Sequence, residues 1–473
     1  MSGLTRLADW AAGLADGDIP ARVREYAASQ VLSQLAAIRA GGAHPTGAKI
    51  ITAFGGPAQP DRKAAAGVLA AVGSFLNLDD TAYAGHLSNS TVAVPLAYAA
   101  DGPSLITAVV AANECAARIT AAATLGPLRG QSAMHTHLAG AVAGRLKAEG
   151  APPGVWADAL AIAFAMPHWP MLRSFLACEA RAVATMAPVR AGLDACDAAR
   201  AGIAGAHDIL EHPDGFLARY ADVPLPEQVD HALGEQWHTE TLSFKLHPGG
   251  PGIDAAVDCA ADLAPVTDPD DIAEVLVEAS AYTLMAQRTA ERYLDGPDSP
   301  LGALVLDVRY PVATALLSGH FTAADLGRPA TADPGRRALA AKVRLVHDPE
   351  MTRALLESDA PFGAALRMAG PRAQAWLADY GLTAPENVQG DFSAATKATP
   401  ARVTVVHGDG RRRCRERAIP RGAAGPETRA DHISLIREKF IDSGGDAAIA
   451  ERAASLDSMN ASDFRSWLRA ALT

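Results

Sequence analysis

Apolar positions recur at helical spacing from residue 4 to about 235, and this pattern predicts a largely α-helical first half. Ile19 to Arg24 reads as the proline-started beginning of a helix that continues to about Ile38, with Gly41 and Gly42 as its stop. Segments near 64–77, 91–99, 103–123, 137–148 and 155–166 repeat the same Ala-rich periodicity, with Pro and Gly between them. Then the pattern changes. Trp237 to Lys245 alternates polar and apolar residues as a strand does, and His247 to Gly252 forms a loop before a further helix. Strand patterns return in Asp271–Ala281, Ala341–His347 and Arg402–Val406, the last turning at Asp409-Gly410 into a return strand. From Arg429 to Leu472 the spacing is helical again. The expected organisation is an all-helical domain of residues 1–236 and 425–473, with a smaller α+β domain, 237–424, inserted as a lid.

Composition narrows the function classes. A chain of 473 residues exceeds one ordinary core. Its net charge of −11 argues against a nucleic-acid partner, which needs a basic face. The basic run Arg411 to Arg417 flanks a Gly-Asp-Gly turn and fits one solvated strand of a hairpin. The five cysteines, at 115, 178, 196, 259 and 414, have no metal-site spacing and no even count, so reduced thiols are expected. The apolar stretch from Val92 to Ala112 is broken by Pro95, Asp101 and Pro103, and the first residues lack the order of a signal peptide. A cytoplasmic protein without membrane contact is the expectation.

The chemistry concentrates at Asn77-Leu78-Asp79-Asp80-Thr81, with His86 five residues on. Two carboxylates, a hydroxyl and an imidazole in ten residues are costly to bury without partners and suit proton transfer on a small polar substrate. Helix capping and a loop histidine are the competing explanation.

Further segments follow in a fixed order. These are Gly126-Pro127 with Met134-His135, Ile209 to Phe216, Ser243 to Pro248 with Ile253-Asp254, Tyr310 to Gly319, Val343 to Pro349, and Val403 to Val406 with its hairpin. Together they resemble the MmgE/PrpD family, the 2-methylcitrate dehydratase-like proteins, over nearly the whole chain. The resemblance implies a helical domain plus an α+β lid, a homodimer, and an active site in the cleft between the domains. It also implies a small-molecule substrate and no cofactor or metal. Known family reactions are dehydration of 2-methylcitrate, decarboxylation of cis-aconitate and epimerisation of iminodisuccinate.

Carried over residue by residue, the resemblance assigns Asp80 to orient or tune an imidazole, His86 to exchange a proton, and Thr81 to the same segment. His135 falls on the family's second histidine when aligned from Gly126-Pro127, with His137 beside it. Alignment from Gly144 puts Arg129 there instead. Lys245 and His247 match the family's lysine entry to the next helix. Asp254 stands where many members carry a histidine, and a carboxylate there could act as a base. Arg181 replaces a family lysine and offers a bidentate carboxylate clamp, with Arg190 as its assistant. Tyr310 could donate a phenolic proton. The departures at Asp254 and Arg181 favour a diverged lyase or isomerase, performing isomerisation, epimerisation or cyclisation, as would fit a specialised biosynthetic pathway. An orthodox dehydratase or decarboxylase is the alternative, and a non-catalytic family member the third.

Overall fold

The computed structural model describes residues 1–83, 85–126, 134–250, 252–266, 268–378 and 392–473. Its helical part contains α1 (Gly3–Gly13), α2 (Ala21–Ala43), α3 (Pro45–Phe54), α4 (Arg62–Ser74), α5 (Gly102–Ala122), α6 (His135–Ala148), α7 (Pro153–Ala165) and α8 (Met186–Arg200). Small side chains let these helices approach closely. α5 packs along α6, α8 lies across α6 and α7, and α2 runs beside α4. The α2–α4 contact shows why: a Cβ on Gly41 would sit 2.0 Å from the Val72 carbonyl oxygen. Gly41 and Gly42 therefore do not stop the helix as expected. It runs to Ala43 and ends where Pro45 restricts the residue before it.

The expected strand at Trp237–Lys245 is a 3₁₀ turn, His238–Thr241, followed by a single bridge between Ser243 and Thr81. Its backbone donors are spent elsewhere. The buried Glu114 carboxylate accepts from the N–H groups of His238 and Thr239, at 3.0 and 2.9 Å, so no ladder forms there.

The α+β region holds one four-stranded sheet in the order β2-β1-β3-β4, from β1 (Ile272–Ala279), β2 (Val343–His347), β3 (Ala401–His407) and β4 (Arg412–Arg417). β1 runs parallel to β2 and antiparallel to β3, and β3 and β4 form the expected hairpin with exposed arginines on β4. Helices α9 (Asp254–Leu263) and α10 (Arg309–Ser318) pack on each other, and α9 covers β3 and β4. After the sheet, α11 (Pro426–Asp442) returns to pack on α2, and α12 (Ala461–Leu472) also touches α2. The protein is thus mainly α with a small α+β region. Among the described residues α5 alone is long and apolar enough to cross a membrane, and 94% of that window is buried inside the protein.

Candidate functional site

The chain leaves α4 at Ser74 and enters a tightly constrained turn. Asn77 and Tyr83 hold left-handed φ values of 52° and 53°, costly for residues with a Cβ. The surroundings fix them. The Asn77 carbonyl accepts from the Gly249 N–H at 3.1 Å, and the Tyr83 hydroxyl is 2.8 Å from His238 Nδ1. Between them, Thr81 and Ser243 exchange backbone hydrogen bonds of 3.0 and 2.8 Å. Ser243 Oγ in turn accepts from the Ala424 N–H, and the Phe244 N–H donates to the Gly422 carbonyl. Gly422 is required there: φ is +78°, and a Cβ would meet the Phe244 oxygen at 2.2 Å.

This folding brings His86 back over Asp79, with Nδ1 2.8 Å from Asp79 Oδ2. Asp79, not Asp80, is therefore the partner of the imidazole. Burial raises the Asp79 carboxyl, but His86, Lys245 and His137 outweigh it and hold the group below its ordinary value. Burial likewise pulls His86 below the usual imidazole value, against the opposing pull of Asp79. The two directions agree on one state, an ionised Asp79 and a neutral His86. An ionised carboxylate cannot donate, so the ring proton is on Nδ1 and the lone pair on Nε2.

Asp80 has a different occupation. It accepts from Ser33 Oγ at 2.6 Å and Ser88 Oγ at 3.0 Å, and lies 3.5 Å from Lys439 Nζ. Lys439 also bonds the Leu78 carbonyl at 2.8 Å. Asp80 thus ties α2, the turn and α11 together, and it does not touch the imidazole.

His86, Thr81, Lys245 and Asp254 line one cavity, joined by Tyr282, Lys397 and the exposed Arg421. Lys397 Nζ donates to Thr81 Oγ1 at 2.8 Å, and Lys245 Nζ donates to the Gly249 carbonyl at 2.9 Å. Burial lowers both ammonium groups. Lys397 falls to about 8, where the adjacent positive Lys245 adds to the burial. Asp254, in the first turn of α9, is pushed upward by burial, against the opposing pull of Lys245 and His247. This set can hold an anionic group on two lysines while an imidazole and a carboxyl handle protons.

His86 also borders a smaller cavity, shared with Asn77, Asn89, His137 and Arg181. Arg181 therefore does not face Lys245 across one cleft. Its Nε donates to the Phe75 carbonyl at 2.9 Å, another nitrogen donates to Asn77 Oδ1, and Phe175 lies under the guanidinium. His137 Nδ1 sits 3.2 Å from Ser90 Oγ, and burial together with the nearby His86 lowers it to about 3.

The described walls of these two cavities do not include His135, Arg190, His247 or Tyr310. His135 packs its ring on Phe216 at 4.9 Å. Arg190 lies over the Phe54 ring at 5.1 Å. His247 spans Asp258 Oδ1 at 3.0 Å and the Phe321 carbonyl at 3.3 Å, and these acceptors raise its pKa against burial. The Tyr310 hydroxyl donates to the Asp325 carbonyl at 2.7 Å, which uses its proton within the α+β core. Arg129 lies outside the described residues.

Sequence reasoning missed Asp79 as the imidazole partner, and also Lys397, Tyr282 and Arg421. Only Lys397 carried a signal, a cation inside a small-residue run, Ala394 to Pro400, without an acidic neighbour.

No curated protein matches the chain significantly. Residues 247–387 match the MmgE/PrpD C-terminal domain. That segment contains Asp254, β1 and β2, and it begins two residues after Lys245. Over this segment the chain is similar to the MmgE/PrpD family.

Proposed function

We propose that the protein catalyses proton exchange at a carbon next to a carboxylate or carbonyl group, with His86 as the base and Asp79 as its orienting partner. The match of residues 247–387 to the MmgE/PrpD C-terminal domain suggests a lyase-type enzyme. The observation that carries the finer reading is the His86–Asp79 pair bordering the cavity that also contains Lys245, Asp254 and Lys397.

In this reading, His86 Nε2 accepts the proton, and the ionised Asp79 stabilises the imidazolium that results. Negative charge builds up on the substrate carboxylate or carbonyl oxygen. Lys245 and Lys397 offset it, in a setting where water screens little. Asp254, when protonated, supplies a proton to a leaving group or to the opposite face of the carbon. Elimination and epimerisation share the first of these steps; decarboxylation forms the same carbanion by loss of CO₂ and then takes a proton from the His86 imidazolium. A carboxyl at position 254, where many family members carry a histidine, leaves one potential cation fewer for a substrate with three carboxylates, so a substrate with one acidic or carbonyl handle is favoured.

Lys397 supports a second reading. It adds a cation opposite Asp254 and so partly restores the charge an orthodox tricarboxylate dehydratase or decarboxylase needs. Incubation with citrate, 2-methylcitrate and cis-aconitate separates the two. The first reading expects little turnover of any of them; efficient dehydration of 2-methylcitrate would replace it with the second.

A further inference from the structure

The backbone around Lys397 is pinned, and it fixes this residue in the wall of the cavity that His86 and Lys245 line. The N–H groups of Thr396, Lys397 and Ala398 donate in turn to Asp359 Oδ2 at 2.9 Å, the Ala424 carbonyl at 2.8 Å and Ser358 Oγ at 2.7 Å. Lys397 is 8% exposed, and among the described residues Thr81 Oγ1 is the one acceptor its ammonium meets. The other buried lysines are placed differently. Lys439 has the Asp80 carboxylate 3.5 Å away. Lys245 is lowered by burial, but the charges of Asp79 and Asp254 oppose that. For Lys397, burial and then the positive Lys245 act together, against the weaker pull of Asp254, and bring the group to about 8. Roughly a tenth of it is then neutral amine at pH 7, against about 0.04% for an ordinary lysine. A desolvated lysine beside a second cation is the form in which this side chain attacks a carbonyl carbon. The free volume, about 40 Å³, holds about three waters at roughly 10–15 Å³ each, so the occupant is small.

We propose that Lys397 is a nucleophile, forming an imine with the carbonyl carbon of a small 2-oxo acid whose carboxylate is held by Lys245. This rests on the reading of the same cavity as the active site and narrows its substrate class. The Nζ lone pair forms the C–N bond as the C=O π pair moves onto oxygen. That oxygen takes its first proton from the nitrogen and a second from the Asp254 carboxyl, and leaves as water. The nitrogen keeps one hydrogen, and its lone pair completes the C=N bond of a protonated imine, with the Asp254 carboxylate as counter-charge. The iminium then draws electrons from the neighbouring C–H bond, whose proton His86 Nε2 accepts to give an enamine. Thr81, already bonded to Nζ, orients the amine.

Reductive trapping tests this on the intact wild-type chain. Incubation with pyruvate and sodium cyanoborohydride converts an imine into a stable secondary amine, which peptide mass spectrometry assigns to a lysine. Lys49, exposed on α3, serves as the internal control. The adduct should form saturably at Lys397, exceeding that at Lys49 by about tenfold or more. Acetone, which has the carbonyl without the carboxylate, should label Lys397 at least about tenfold less, the loss of one charge-assisted contact. No adduct at Lys397, an adduct at Lys245 in its place, equal labelling of Lys397 and Lys49, or equal labelling by acetone would each overturn the proposal. His86→Gln should keep the adduct, because the imine forms before the carbon loses its proton; loss of the adduct in a folded His86→Gln protein would also overturn the sequence of steps. The two readings fail separately. Deuterium exchange on a substrate carbon without an adduct sinks the imine and leaves His86 as the base, whereas an adduct without exchange leaves the imine and sinks the base.

Discussion

Neighbouring carboxylates separate stability from chemistry, and Asp79→Asn beside Asp80→Asn exposes the division. Asp79 is fully buried and 2.8 Å from His86 Nδ1. Asparagine keeps the shape and can still present an oxygen to the ring N–H, so what is lost is the charge. For folding, losing a charged hydrogen bond of about 1.5–3 kcal/mol is offset by no longer burying a carboxylate, leaving a net change of roughly 1 kcal/mol. For chemistry there is no offset. A counter-charge about 4 Å from an imidazolium at an effective dielectric near 20 contributes about 4 kcal/mol, so kcat should fall about 10²- to 10⁴-fold. Asp80→Asn should behave the other way. It leaves the fully buried Lys439, 3.5 Å away, without its counter-ion, a loss of about 3–5 kcal/mol. Urea denaturation and turnover of an identified substrate, measured on both variants, provide the comparison. A fully active Asp79→Asn, or an Asp80→Asn variant that loses activity with native stability, would refute the assignment.

Three further expectations follow from individual side chains. His137 has a folded pKa of about 3 against an ordinary 6.5, so the unfolded chain binds the extra proton and stability rises with pH across that window. At pH 5 this amounts to about 2 kcal/mol relative to neutral pH, and His137→Gln should shrink the difference between urea melts at pH 5 and 7.5 by that amount; an unchanged difference contradicts the buried neutral ring. Lys397→Met removes a cation from beside Lys245 and should leave stability within about 1 kcal/mol while weakening an anionic substrate roughly tenfold or more, seen in KM. An unaltered KM would remove Lys397 from the binding set. Tyr310→Phe should cost about 1 kcal/mol in a thermal or urea melt, from the lost bond to Asp325, and leave turnover intact; a large loss of kcat would return Tyr310 to the chemistry.

Helices and the hairpin were legible because their signals are local. Periodicity placed α5 and α7 within a few residues, and Asp409-Gly410 located the β3–β4 turn. Two local signals misled for tertiary reasons. Gly41 serves close packing against Val72 rather than termination, and the alternation from Trp237 to Lys245 meets the Glu114 carboxylate instead of a neighbouring strand. The turn at 77–86 was legible as a cluster but not in its pairing. Whether His86 meets Asp79 or Asp80 depends on left-handed backbone at Asn77 and Tyr83, which the residue types there do not announce. Lys397 could not be placed, because 316 residues separate it from Thr81, its hydrogen-bond partner. Tyr310 and His247 are residue types that catalysis uses, yet each is satisfied by acceptors in the α+β core.

Proton exchange at His86 is tested most directly by incubating the enzyme in D₂O with a panel of small carboxylic and keto acids and reading deuterium at the carbon next to the acid or carbonyl group. The wild type should label at least one of them, and His86→Gln, with a native melting temperature, should reduce that labelling about 10²-fold or more. Equal labelling by the folded His86→Gln protein would contradict the account.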